Sequence, residues 1–317
     1  MTKHNSISVD TVTITLNPAI DQTVNISNFT TGAVNRVESV RSNPGGKGVN
    51  VASALADYGL RIGVTGFLGR ENSTTFEVLF EDKRIEDRFI MIPGQTRVGI
   101  KVVDPIRRQT TDINFPGAPP SAADLISLSD TLDTFEARFY VLAGSVPPGV
   151  DLGIYRQLIM ALKGKAGRIV LDASDEPFRL ALNAKPNVIK PNIHELEGLI
   201  GKRLPDSTAV IGAARELIGR GIELVVVSMG REGACFVTDV EAVIAVPPDV
   251  EVHSTVGAGD AMVAGIIASL SRGLPLAECA RLATAFSVHA LTRHDRDVST
   301  AEAIGALAPQ VSLQSKN

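Results

Sequence analysis

The stretch "STVGAGDAMVAGIIASL", residues 254–270, poses the question that decides this chain. Gly257, Ala258 and Gly259 carry almost no side chain, Asp260 follows at once, and a strongly apolar helical pattern begins behind it. Two readings fit. The stretch can be a tight turn before a helix whose N-terminus favours an acid on dipole grounds. Alternatively, the amides of Val256 to Asp260 point together at an anion, helped by the same dipole. In that case Asp260 would repel the anion held by its own loop. It makes sense there only if it takes a proton from a hydroxyl that attacks the anion. Taken alone, the motif leaves both readings open.

Outward from this stretch, short β-branched runs alternate with helical patterns. Residues 11–17, 138–144, 168–174, 187–192 and 223–230 read as strands, several of them apolar on both faces, as in a parallel sheet covered by helices. Residues 50–59, 151–167, 207–221 and 261–273 read as helices, with Gly59, Gly221 and Gly273 where a C-terminal glycine falls. The alternation predicts a doubly wound α/β core with a mostly parallel sheet. Residues 97–117 break the pattern: Val98, Ile100 and Val102, then Ile113 and Phe115, alternate around a turn containing Pro105. Residues 22–42 also read as extended. The two pieces are expected to pair into a small accessory β-sheet inserted in one domain spanning 1–317.

Bulk properties exclude several function classes. The 317 residues are 44% hydrophobic, enough for a sizeable core without staples. The net charge of −4, with both signs mixed along the chain, gives no reason to expect nucleic acid or an anionic membrane as partner. Cys235 and Cys279 show no paired or metal-like spacing, no secretory h-region opens the chain, and no apolar run approaches a spanning length. A cytoplasmic location is expected.

A second glycine site is "NPGGKGVNVA", residues 43–52. Gly45, Gly46 and Gly48 allow close backbone approach, Lys47 adds a cation, and a helix near Val49 adds a dipole. A plain glycine turn before a helix fits as well. The spacing is not that of a P-loop, and no G-x-G-x-x-G follows the first strand. His194-Glu195 is not a zinc motif, because Gly198 stands where H-E-x-x-H requires His. Asn192 and Glu195 have the spacing of a helix capping pair. His253, His289 and His294 have no metal spacing and read as structural or surface residues.

Together, "GGKGVNVA" and "STVGAGDAMVAG" resemble the two signature regions of the PfkB-type, ribokinase-like carbohydrate kinases. "TLNPAID" (15–21), "AGSVPPG" (143–149), "KPNIHEL" (190–196) and "VVSMGREGA" (226–234) resemble further landmarks of that family, in the same order and across nearly the whole chain. The resemblance implies a ribokinase-like fold with the accessory sheet as a lid, and transfer of a phosphoryl group from ATP, with Mg²⁺, to a sugar hydroxyl. It implies Asp260 as general base and the amides of Gly257, Ala258 and Gly259 as an anion hole. It assigns Asp21, Gly46, Lys47, Asn50, Arg97 and Ser145 to the sugar substrate, with Arg97 on the substrate's own phosphate. Lys190, Ser228, Gly230, Ser254, Thr255, Val256, Gly257 and Gly259 fall to ATP. Asn192 and Glu195 fall to indirect placement of Mg²⁺. "TLNPAID", Lys47 and "TDINFPG" (111–117) are most similar to members acting on fructose 1-phosphate at its 6-hydroxyl, with tagatose 6-phosphate and fructose 6-phosphate as alternatives and a non-catalytic sugar-phosphate sensor as a different class. A homodimer is implied. "TRHDRDVS" (292–299) departs from the family pattern, which leaves the nucleotide contacts there open.

Overall fold

The computed structural model describes residues 6–252, 255–292 and 301–316. Ser254, His253, His294 and nearly all of the atypical 292–299 segment lie outside the described residues. In chain order the first strands are β1 (Ile7–Thr15), β2 (Ala19–Asn25), β3 (Ser39–Gly45), β4 (Ile62–Gly69) and β5 (Glu86–Asp87). Then come β6 (Ile90–Ile92), β7 (Arg97–Asp104), β8 (Gln109–Asn114), β9 (Phe135–Ala143) and β10 (Arg168–Asp172). The last are β11 (Val188–Ile189), β12 (Leu224–Ser228), β13 (Ala234–Val237), β14 (Ala242–Val246) and β15 (Ser312–Lys316). The helices begin with α1 (Lys47–Asp57), α2 (Thr74–Asp82), α3 (Ala122–Thr134), α4 (Ile154–Leu162) and α5 (Asp175–Ala181). They continue with α6 (Ile193–Ile200), α7 (Ser207–Ile218), α8 (Ala258–Ser271), α9 (Leu276–Thr292) and α10 (Ala301–Leu307).

The main sheet runs β15-β14-β13-β12-β11-β10-β9-β1-β4-β5, with β6 beside β4. From β12 to β5 every pair is parallel; β13, β14 and β15 close one edge antiparallel. Buried side chains cover both faces. Leu128, Tyr155, Leu196 and Leu217 belong to one core, and Leu55, Phe76, Ile266 and Phe286 to the other. Helices therefore shield both faces of an apolar parallel sheet, as the alternation predicts. The strand β4 was not visible in the sequence: three glycines dilute "IGVTGFLG", although all eight residues are buried. The expected strand 187–192 shrinks to Val188–Ile189, because the chain turns at Lys190-Pro191 towards α6.

The stretch "AMVAGIIAS" forms the body of α8 and is buried on every side. That explains its all-round apolar character, since α8 packs on α1 and α9 and shares a buried core with Val64, Val141 and Val226 of the sheet. Gly265 is required by this packing. A Cβ there would come within 2.5 Å of the Ala283 backbone on α9. Gly59 and Gly273 do stand in the left-handed region just past α1 and α8, as C-terminal glycines should.

A separate four-stranded sheet, β3-β2-β7-β8, contains the two regions that broke the alternation. Residues 97–117 form the expected hairpin β7–β8. The 22–42 region is extended only at its ends, as β2 and β3. β2 and β7 pair in parallel, so two antiparallel pairs are joined by a parallel seam. Its small core is Val24, Ile26 and Val102, with Phe29 and Ile100 against it. Every residue of β8 is exposed.

Candidate active site

A parallel sheet points all its carboxyl ends one way, and this rim gathers the polar motifs. The strand order reverses between β1 and β9, since β1 continues to β4 on one side while β9 and β10 extend on the other. Open α/β sheets bind ligands at such a reversal. Here Asn17, just past β1, donates from Nδ2 to Ser145 Oγ, past β9, at 3.0 Å. Asp172 ends β10, Lys190 follows β11, and Ser228 ends β12.

The glycine loops enter this rim from α1 and α8. Gly257 has φ +77° and acts as N-cap of α8, so the amides of the first turn open towards the rim without intrahelical acceptors. Asp260 lies in that first turn, 8% exposed. Asn50 on α1 donates from Nδ2 to Asp260 Oδ2 at 2.8 Å. Burial, then the nearby Asp172 carboxylate, pushes the Asp260 carboxyl up to about 6, against the pull of Asn50, Lys47 and Lys190. Lys47 opens α1 after Gly46, whose φ of +108° and close approach to Pro18 suit only glycine. Gly48 is equally constrained: a Cβ would lie 2.2 Å from Thr15 Oγ1. Lys47 Nζ sits 3.1 Å from Asp172 Oδ1, and the buried Lys190 Nζ sits 3.5 Å from the same oxygen. Burial works against the charge on Lys47, but Asp172 and Asp260 more than offset it and hold its ammonium above the ordinary range.

A second group lies where the accessory sheet meets the rim. The Asp21 side chain lies over two glycines of neighbouring strands. A Cβ on Gly45 would come within 2.1 Å of its Oδ2, and one on Gly99 within 3.2 Å of its Oδ1. Half-buried Arg97 opens β7 and donates from Nε to the Asn17 carbonyl at 3.3 Å. Burial lowers its guanidinium and the Asp21 charge partly restores it. Asp21, Arg97, Asn17 and Ser145 thus form one connected group where the accessory sheet meets the rim.

A third group forms the start of α6. Asn192 and Glu195 make a complete capping box, with Asn192 N to Glu195 Oε2 at 2.8 Å and Glu195 N to Asn192 Oδ1 at 2.9 Å. Asn192 bridges to Ser228 across the strand ends. Gly230, with φ +63°, opens an exposed turn just beyond. Thr255 and Val256 are exposed ahead of α8. Among the described residues no group of three His, Cys, Asp or Glu side chains could hold a metal ion by itself. His289 is on α9, far in sequence from every rim motif.

Asp172 was missed by sequence reading. "RIVLDAS" reads as a plain strand, and the signal that could have found it is an acid ending an otherwise apolar run.

The chain matches known proteins along almost its entire length. Residues 6–302 match the family described as pfkB family carbohydrate kinase. The chain belongs to this family. A protein of Rhodobacter capsulatus named 1-phosphofructokinase is 45% identical over 305 residues, covering 95% of this chain and 96% of that protein. One of the same name from Xanthomonas campestris pv. campestris is 43% identical over 317 residues, covering 95% of this chain and all of that protein. Among solved structures, phosphofructokinase-2 from Escherichia coli in complex with fructose-6-phosphate superposes with a TM-score of 0.87 at 27% identity, covering 95% and 98% of the two chains. The pfkB kinase shares its ribokinase-like α/β fold, with the small separate sheet, with this neighbour. Among the described residues no helix is long and apolar enough to cross a membrane.

Proposed function

We propose that this pfkB kinase transfers the γ-phosphoryl group of ATP to the 6-hydroxyl of fructose 1-phosphate, giving fructose 1,6-bisphosphate and ADP. The observation that carries the reaction is the setting of Asp260: a buried carboxylate at a helix N-terminus, held by Asn50 and faced by two lysines. The relatives named 1-phosphofructokinase, at 45% and 43% identity, support the choice of sugar.

Phosphoryl transfer depends on positioning and charge stabilisation more than on covalent chemistry. The amides of Gly257, Ala258 and Gly259 receive the charge that develops on the transferred group. Asp260 takes the proton of the attacking hydroxyl, a role for which a carboxyl raised to about 6 is well matched near neutral pH. Asp21 accepts hydrogen bonds from sugar hydroxyls, Ser145 faces the sugar, and Arg97 grips the phosphate already on it. Gly46 and Asn50 border the sugar and the transferred phosphate. Lys190, Ser228, Gly230 and residues 254–259 line the nucleotide side. Magnesium enters as Mg-ATP. No described cage of ligands fits a resident ion, and Mg²⁺ bound to phosphates keeps most of its waters. Glu195, whose Oε2 accepts from the Asn192 amide, would accept hydrogen bonds from such waters.

The chain works as one kinase domain over 1–317, with 22–42 and 97–117 as lid segments that close over the sugar and exclude water. Val40, Ile113 and Phe115 leave apolar surface exposed on that sheet, which supports a homodimer formed there. The site faces a small molecule in the cytoplasm. A non-catalytic sugar-phosphate sensor would have no use for a buried base.

Purified protein given Mg-ATP with fructose 1-phosphate, fructose 6-phosphate or tagatose 6-phosphate is expected to show the highest kcat/KM on fructose 1-phosphate. Preference for either 6-phosphate would overturn this choice of sugar. The likeness to phosphofructokinase-2 keeps fructose 6-phosphate as the second reading.

A further inference from the structure

The carboxylate of Asp172 has no place in the mechanism above, yet it lies at the centre of the buried charges. It ends β10, 1% exposed. Its Oδ1 is shared by two ammonium groups that arrive from different elements, Lys47 from the start of α1 and Lys190 from the loop after β11. Its Oδ2 is buried and has no hydrogen-bond partner among the described residues. A buried carboxylate with an idle oxygen is costly, and charge pairing on the other oxygen is what makes it tolerable. The two ammonium groups, in turn, would repel each other without an anion between them. Lys47 is about a third exposed, at 36% of its side chain, and would swing out to water.

We propose that Asp172 is a positioning residue, which gathers Lys47 and Lys190 from one buried oxygen into a two-cation seat for the phosphoryl group in transit, opposite Asp260. The inference rests on the kinase reading and reassigns Lys47 from the sugar substrate to the transferred phosphoryl group. Charge arithmetic supports it. Two ammonium groups and one carboxylate leave the seat at +1, to which the N-terminus of α8 adds roughly half a charge. An incoming phosphoryl group is still attracted, and it meets cations already in place. Arg97, on the accessory sheet, remains for the phosphate that the substrate carries.

The charges facing Asp260 are Lys47 on α1, Lys190 after β11 and Asp172 at the end of β10, with neutral Asn50 on its carboxylate; Glu195 of α6 acts on Lys47. They give opposite signs to two substitutions. Removing the Asp172 charge lowers the proton affinity of Asp260, whereas removing Lys47 raises it. The experiment measures kcat, KM and the acid limb of the pH–rate profile on the sugar phosphate that the wild type phosphorylates. Asp172→Asn is expected to lower kcat by about 10- to 100-fold, as a misplaced reacting group does, with KM for the sugar within threefold and the acid limb moved to lower pH. Lys47→Gln is expected to lower kcat similarly and to move the acid limb to higher pH. A kcat within threefold of wild type for Asp172→Asn, or limbs that do not move in opposite directions, overturns the proposal. If Asp172→Asn does not fold, Lys47→Gln decides: an unchanged kcat with a raised sugar KM returns Lys47 to binding of the sugar substrate and overturns it. A wild type that phosphorylates no sugar phosphate at all is a different result, which sinks the kinase reading itself.

Discussion

The buried rim and the accessory sheet solve the same problem of holding charge in opposite ways. At the rim, Asp260, Asp172 and Lys190 are each at most 8% exposed and are fixed by one another and by Asn50. On the accessory sheet, Asp21 and Arg97 are half-buried, the core is three buried side chains, and β8 is exposed along its whole length. Preorganised charge in low dielectric stabilises a transition state without reorganising. A thin sheet with little core can move, which suits an element that admits a substrate and then covers it. Under the proposed function, chemistry falls to the rim and recognition of the sugar to the sheet.

That division can be broken at its strongest point. Asp260→Asn is expected to cut kcat by at least about 10²-fold, the lower range for a lost general base, with sugar KM little changed. Near-normal turnover in a steady-state assay would remove Asp260 from its role. Arg97→Ala should do the reverse, raising KM for the sugar phosphate by about 10- to 100-fold, the range for losing a charge-assisted hydrogen bond, while kcat stays within a few fold. A loss confined to kcat would place Arg97 with the rim instead.

The pH dependence sharpens the same contrast. With Asp260 raised to about 6, kcat/KM should fall roughly tenfold per unit as pH drops below about 6. An acid limb near 4 would mean that the carboxylate is solvated like one on the accessory sheet. Stability should respond in the opposite sense. The folded state holds a proton on Asp260 to higher pH than the unfolded chain does, so this group's contribution to stability is lost as pH rises from about 4 to about 6. Asp260→Asn should therefore be more stable than wild type at pH 7 by roughly 1–3 kcal/mol, and close to it at pH 4; denaturant melts at both pH values check this. The smallest effect on folding is expected on the sheet. Ile113→Lys, at an exposed position, should change Tm by little yet shift a dimer to monomer in sedimentation. An unchanged dimer would move the interface away from this face.

Much of this was legible beforehand because periodicity and glycine chemistry are local. The runs at 11–17, 138–144 and 168–174 became β1, β9 and β10, and Gly257-Ala258-Gly259 proved to open α8. The strands that escaped are those whose local signal is weak. β4 is diluted by glycines, β13 and β14 are hairpin strands of only four and five residues, and β15 pairs with β14 from far along the chain. Lys47 read as a loop cation near a sugar. Its partner Asp172 is 125 residues away, and no spacing rule connects them.

The sequence by itself determined the alternation, the two glycine sites and the order of motifs, because each depends on backbone freedom and side-chain pattern over a few residues. Only the tertiary structure decided which charges meet. Folding a parallel sheet brings the ends of β1, β9, β10, β11 and β12 to one rim, and burial there turns Asp172, an ordinary strand-end acid in the sequence, into the common partner of two lysines beside Asp260. Low dielectric and mutual proximity set that pairing, and both exist only once the chain is folded.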